Sequence, residues 1–120
     1  MNVLIVDDDV KTQHTCQEIL RLLNHSSIGV QNAVDAVKRL TAIPPQFDLV
    51  ILDNGLPELR GMELFNILRE WNLSIPVILI SESRPHPEFE ALLEGFSRVQ
   101  FLQTPLTLAA LKSAIERSQS

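Results

Sequence analysis

The stretch Asp48-Leu49-Val50-Ile51-Leu52-Asp53 decides the fold of this 120-residue chain. Four aliphatic residues in succession leave no polar face, so the segment reads as a strand buried on both sides, and such strands belong at the centre of parallel sheets. Upstream, Val3 to Val6 is a second run of the same kind, ending abruptly at Asp7, Asp8 and Asp9. Downstream, Pro76 opens a third, Val77 to Ile80, which ends at Ser81. Ser26 to Val30 and Arg98 to Leu102 read as two further strands.

Helical spacing fills the intervals. From Lys11 to Leu23, the residues Cys16, Ile19, Leu20 and Leu23 share one face, and Asn24 and His25 close the segment. Asn32 stands as N-cap to a helix from about Ala33 to Thr41, with Asp35 three residues on, and Pro44 and Pro45 stop it. Further helices are expected from Gly61 to about Trp71, from about Glu88 to Glu94 with Gly95 as the stop, and from about Thr107 to Arg117 with Leu108, Leu111 and Ile115 inward. Five strand-then-helix repeats predict an α/β fold, a five-stranded parallel sheet with helices on both faces joined by right-handed crossovers. Five such units most often take the flavodoxin-like (βα)5 order 2-1-3-4-5, in which the ligand crevice lies outside the carboxyl ends of neighbouring strands 1 and 3.

Composition sets the bounds. With 45% hydrophobic and 21% charged residues, the chain is expected to be a globular cytoplasmic domain spanning 1–120, without a membrane span or a secretory leader. The net charge of -5 leaves no basic stripe for nucleic acid. Cys16 is the only cysteine, which excludes an internal disulfide, and its spacing marks a small core residue. His14, His25 and His86 lack metal-ligand spacing and are expected on exposed helix or loop positions.

What stands at the strand ends carries the chemistry. Asp7 and Asp8 follow strand 1, Asp53 strand 3, Ser81 strand 4 and Thr104 strand 5. Three carboxylates gathered at one edge repel each other and raise at least one pKa unless a cation joins them. Oxygen-only ligands suit Mg²⁺ or Mn²⁺, and Mg²⁺ keeps several waters and is completed by a phosphate oxygen. Asp9 reads instead as the cap of the first helix, and Asp48 as a strand-end carboxylate.

The run Val3 to Asp8, together with Asp48 to Asp53 followed by Asn-Gly-Leu-Pro57-Glu-Leu-Arg-Gly61, resembles response-regulator receiver domains of two-component signalling over essentially the whole chain. The resemblance implies that Asp53 accepts a phosphoryl group from a sensor histidine kinase or phosphotransfer protein. It implies that Asp7, Asp8, Asp53 and the backbone carbonyl of Gly55 hold the metal. It also makes Ser81 the switch hydroxyl and Phe101 the aromatic switch position. The partners implied are the kinase and a downstream protein target, with a weak homodimer as a further option; the charges Arg98, Arg117 and Glu94 read as an ordinary solvated surface, and no nucleic acid or membrane is implied. Beyond its own phosphorylation and dephosphorylation, no enzyme activity is implied. Taken alone, Ser81 reads more readily as a turn or helix cap, and Phe101 as an ordinary core ring, than as functional residues.

Two departures stand out. Receivers carry Lys before the proline after strand 5, and this chain has Thr104-Pro105, a candidate cis peptide. The lost cation, at ~4 Å and an effective dielectric of ~20, amounts to a few kcal/mol on the phosphoryl group. Glu82 follows the switch hydroxyl where a small residue is usual, and Pro85 and Pro87 restrict the loop beyond it. Three readings stay open: a working receiver in which Lys11 or Arg84 partly replaces the lysine; a pseudo-receiver that signals by binding with weak or no phosphorylation; and a small flavodoxin-like enzyme or nucleotide binder. Against the last, no Gly-rich phosphate loop follows strand 1.

Overall fold

Five parallel strands lie in the order β2-β1-β3-β4-β5 in a computed structural model that describes residues 1–44, 46–53, 75–82 and 98–119. In chain order the elements are β1 (Asn2–Val6), α1 (Val10–Leu22), β2 (Ser26–Val30), α2 (Ala33–Leu40), β3 (Leu49–Asp53), β4 (Val77–Ser81), β5 (Val99–Gln103) and α3 (Leu108–Ser118). This is the sheet order expected from the repeats. The helices expected over 61–71 and 88–94 lie outside the described residues. No helix among the described residues is long and apolar enough to cross a membrane.

Alternation along the central strands splits the core into two layers. Leu4, Val6, Val50, Leu52, Val77 and Leu79 face one side, where they meet Val30 and the α2 residues Ala33 and Ala36. Val3, Ile5, Leu49, Ile51, Ile78 and Ile80 face the other, against Cys16, Ile19 and Leu20 of α1 and Leu111, Ala114 and Ile115 of α3. Leu4, Ile5, Leu49, Ile51 and Leu52 are fully buried. Each such side chain contributes about 1.5–3 kcal/mol relative to its exposed state, which is why strands with no polar face are stable only here.

Short polar side chains set the ends. Asp9 caps α1, its Oδ1 accepting from the Lys11 amide at 3.0 Å and its Oδ2 from the Thr12 hydroxyl at 2.9 Å. Asn32 caps α2 through the Asp35 amide at 2.8 Å, and Thr107 caps α3 through the Ala110 amide at 3.1 Å. Asn24, at φ 66, turns the chain out of α1. Asp48 lies just ahead of β3 and accepts the Asn2 amide at 2.7 Å, in keeping with its reading as a strand-end carboxylate. Thr104-Pro105 is cis as expected, and Ile43-Pro44 is also cis.

Three details differ from expectation. Leu108 does not point inward: it is 42% exposed, and Leu106 in the preceding loop packs against the core in its stead, ahead of the Leu111, Ala114, Ile115 stripe. His25 is half-buried rather than exposed, with its Nδ1 accepting from the Met1 amine at 3.1 Å, and burial together with that positive charge lowers its pKa. The last strand runs one residue later than expected, because Gln103 pairs with Ser81. His14 is exposed, and His86 lies outside the described residues.

Candidate functional site

Strand register brings the acids together. The ladder between β1 and β3 ends with Val6 opposite Leu52. One residue further on stand Asp7 and Asp53, each continuing the alternation that points Val3, Ile5, Leu49 and Ile51 toward α1 and α3. One carboxylate oxygen from each of Asp7, Asp8 and Asp53 lies within 4.8 Å of the others. The proximity expected from strand order is therefore present, although the three environments differ: Asp7 is buried, Asp53 half-buried and Asp8 exposed.

Asp7 bears the electrostatic cost of this arrangement. Its Oδ1 accepts the Asp9 amide at 2.9 Å, while its Oδ2 is buried and has no hydrogen-bond partner in the protein. Burial, opposed by the Asp9 amide and reinforced by the Asp53 carboxyl, pushes its pKa up to about 7. A carboxylate oxygen shut away from both water and protein donors is unfavourable by about 1–3 kcal/mol or more. A hard divalent cation would satisfy that oxygen and neutralise the repulsion at once, so an all-oxygen donor set of this shape fits Mg²⁺ or Mn²⁺. By contrast, Asp9 is held below the usual carboxylate range by the Thr12 hydroxyl and the Lys11 amide, as suits a helix cap.

Around the acids opens a cleft lined by Asp8, Asp53, Ser81, Glu82, Thr104 and Lys11, among others. The strand ends after β3, β4 and β5 thus share one space, as expected. Thr104 is bonded twice to Ser81: its amide donates to the Ser81 carbonyl at 2.8 Å, and its hydroxyl donates to the same oxygen at 3.3 Å. Glu82 is exposed and lines the cleft, while its carbonyl accepts from the Gln103 side chain at 3.1 Å. Lys11 is the cation among the cleft's described lining residues. Phe101 is half-buried and packs against the layer that holds Leu52 and Leu79. Gly55 and Arg84 lie outside the described residues.

Cys16 is fully buried, and burial pushes its thiol up to about 12, which leaves it inert. Sequence reasoning missed Gln13, whose buried side chain bonds the backbone at the end of β1. The signal was available: Gln13 stands three residues before Cys16, on the inward stripe of an amphipathic helix, where an uncharged polar residue needs partners.

The response regulator receiver domain family matches residues 3–116. The chain is 31% identical to an uncharacterized transcriptional regulatory protein, YcbL of Bacillus subtilis, over 96% of its own length and 51% of that protein's. It is also 31% identical to the sensor protein EvgS of Escherichia coli K12, over 98% of its length and 10% of that protein's. The chain therefore spans about half of one relative and a tenth of the other. Among solved structures, the signal receiver domain of an HD domain-containing protein from Pseudomonas fluorescens Pf-5 superimposes with a TM-score of 0.80 at 22% identity, covering 98% of this chain and 93% of that one. The chemotaxis protein CheY4 of Vibrio cholerae does so with a TM-score of 0.79 at 18% identity, covering 98% and 97%. These two likenesses bear on the fold. With the family match over nearly the whole chain, and a parallel sheet whose carboxyl edge gathers three aspartates, the chain belongs to the receiver domains of two-component response regulators.

Proposed function

We propose that this receiver accepts a phosphoryl group on Asp53 from a phosphohistidine of a sensor histidine kinase or phosphotransfer protein, and that the modification switches its binding to a downstream protein in the cytoplasm. The observation that carries this reading is the meeting of Asp7, Asp8 and Asp53 within 4.8 Å, with one buried oxygen of Asp7 lacking a protein donor. Asp7, Asp8, Asp53 and the Gly55 carbonyl would hold Mg²⁺ or Mn²⁺, which supplies charge neutralisation at the equatorial phosphoryl oxygens. The domain acts as a signalling module, and the bond chemistry is confined to its own aspartate.

The residues divide the work. A carboxylate oxygen of Asp53 attacks phosphorus in line as the N–P bond of the donor breaks, leaving an acyl phosphate on Asp53 and a neutral imidazole once the leaving nitrogen takes a proton. Ser81, which lines the same cleft, would direct its hydroxyl to the phosphoryl oxygens, and the ring of Phe101 on β5 would move in concert with it. Thr104 replaces the usual lysine and brings no charge. Its one hydroxyl hydrogen is already directed at the Ser81 carbonyl, so it ties the ends of β4 and β5 together rather than reaching for phosphate. Lys11, on the first turn of α1, supplies part of the missing positive charge.

The engagement of Thr104 with Ser81, with Glu82 on the cleft wall, also favours a second reading, a binding module whose phosphorylation is weak. Incubation with acetyl phosphate and Mg²⁺, followed by intact mass, separates the two. The proposal expects one added phosphoryl group, lost in Asp53→Asn. No added mass, under conditions where Mg²⁺ binding is demonstrated, leaves the binding module.

A further inference from the structure

Gln13 and Asp7 are the buried polar side chains among the described residues. Gln13 sits one turn into α1, its amide donating to the Asp9 carbonyl at 3.0 Å. Its side-chain Nε2 donates to the Asp7 carbonyl at 3.3 Å and to the Val30 carbonyl at 3.1 Å. The Val30 carbonyl in turn accepts the Asp7 amide at 3.0 Å. Both backbone polar groups of Asp7 are therefore fixed, one by β2 and the other by α1. Between them lies the Cα that carries the buried carboxylate. A primary amide has two N–H hydrogens, which match two carbonyls; an apolar residue would leave the Asp7 carbonyl without this donor.

Gly29 makes room for this contact. A Cβ built on Gly29 would stand 2.3 Å from Cδ, 2.6 Å from Oε1 and 2.7 Å from Nε2 of Gln13. Gly29 has no left-handed φ, so its backbone does not require glycine. A glycine inside a strand weakens it and commonly marks a close approach, which here is the amide of Gln13 lying across β2.

We infer that Gln13 is a positioning residue for the acidic cluster, directing the Asp7 carboxylate through its backbone, and that Gly29 is the space it requires. The inference rests on the reading that the three aspartates hold a divalent cation. It places the control of cation affinity in a contact between α1 and β2 that touches no carboxylate.

The test is calorimetric titration of Mg²⁺ into the full chain, for wild type, Gln13→Met, Gln13→Ala, Gly29→Ala and the Gln13→Ala/Gly29→Ala pair, with Asp7→Asn as the metal-site control. Each variant is titrated at a temperature where its own melt shows it folded. Gln13→Met keeps most of the volume and removes the donors, and is expected to weaken Mg²⁺ about tenfold, the lower end for groups that orient metal ligands. Gly29→Ala is expected to weaken it similarly by expelling the amide. In the pair, the new Cβ meets no glutamine, so its affinity should match Gln13→Ala alone; such non-additivity is the signature of a shared contact. Wild-type affinity in Gln13→Met, or full additivity in the pair, overturns the inference while leaving the metal site standing. Absence of Mg²⁺ binding by wild type overturns the metal reading and this inference with it. Should Gly29→Ala not fold, Gln13→Met decides.

Discussion

Proton and cation should compete for Asp7, and the competition has a calculable size. With its pKa pushed up to about 7 by burial and by the Asp53 carboxyl, Asp7 is half protonated near neutrality when no metal is present. Binding a hard cation requires the carboxylate, so the apparent affinity is divided by one plus the proton occupancy ratio: about 1.1 at pH 8, about 2 at pH 7 and about 11 at pH 6. Calorimetric titration of Mg²⁺ at those three values, in buffers of different ionisation enthalpy, reads both the affinity and the proton released. The expected result is about a tenfold weakening from pH 8 to pH 6, with close to one proton released per ion at the lower pH. Without divalent ions, stability should run the other way. An acid whose folded pKa is raised stabilises the fold fully below its unfolded value of 3.8, and that contribution is lost as pH rises to about 7, by at most about 4 kcal/mol. Mg²⁺ should therefore raise the melting temperature more at pH 8 than at pH 6. Equal Mg²⁺ affinity at pH 6 and pH 8, within twofold, would refute the account of Asp7 as a strained, proton-holding ligand.

Three further outcomes follow from the packing and the cleft. Leu52→Ala, at a fully buried position of β3, should cost about 2–5 kcal/mol in urea unfolding. Asn32→Ala removes the α2 cap and should cost about 1 kcal/mol in the same assay, with Mg²⁺ affinity unchanged because α2 packs on the opposite layer from the side toward which the acids point. Thr104→Lys returns a cation to the cleft and should speed phosphoryl incorporation from acetyl phosphate at least about tenfold, given a few kcal/mol of available attraction; an unchanged rate would count against the proposed consequence of the missing lysine.

The fold was legible because its strands declare themselves. Runs such as Leu49 to Leu52 and Val77 to Ile80 have no polar face to give to water, and their separation by helical stretches implies parallel pairing. Even the polar β2 was found over Ser26–Val30, since its position between two helices leaves no other role. Once strand order is known, the neighbourhood of Asp7 and Asp53 follows. What the one-dimensional pattern did not reveal is the asymmetry among the acids. Asp7 is buried with an orphaned oxygen while Asp8 is exposed. Leu108 was misplaced for a related reason: helical periodicity cannot say where a helix outruns the sheet it covers, and Leu106 takes the contact from the loop. Gln13 shows in the sequence as an uncharged polar residue on the inward stripe of α1, but which carbonyls it bonds is set by the fold.

Since Val6 faces Leu52 across the ladder, the distance between Asp7 and Asp53 is a property of alignment between neighbouring strands and not of any connecting loop. Lengthening the link between α2 and β3 should thus leave the cluster whole, whereas inserting a single residue within Leu49–Leu52 would turn Asp53 toward the opposite layer and dismantle it. A chain of this kind can lengthen the link ahead of β3 and still preserve its acidic cluster, so long as β1 and β3 keep count.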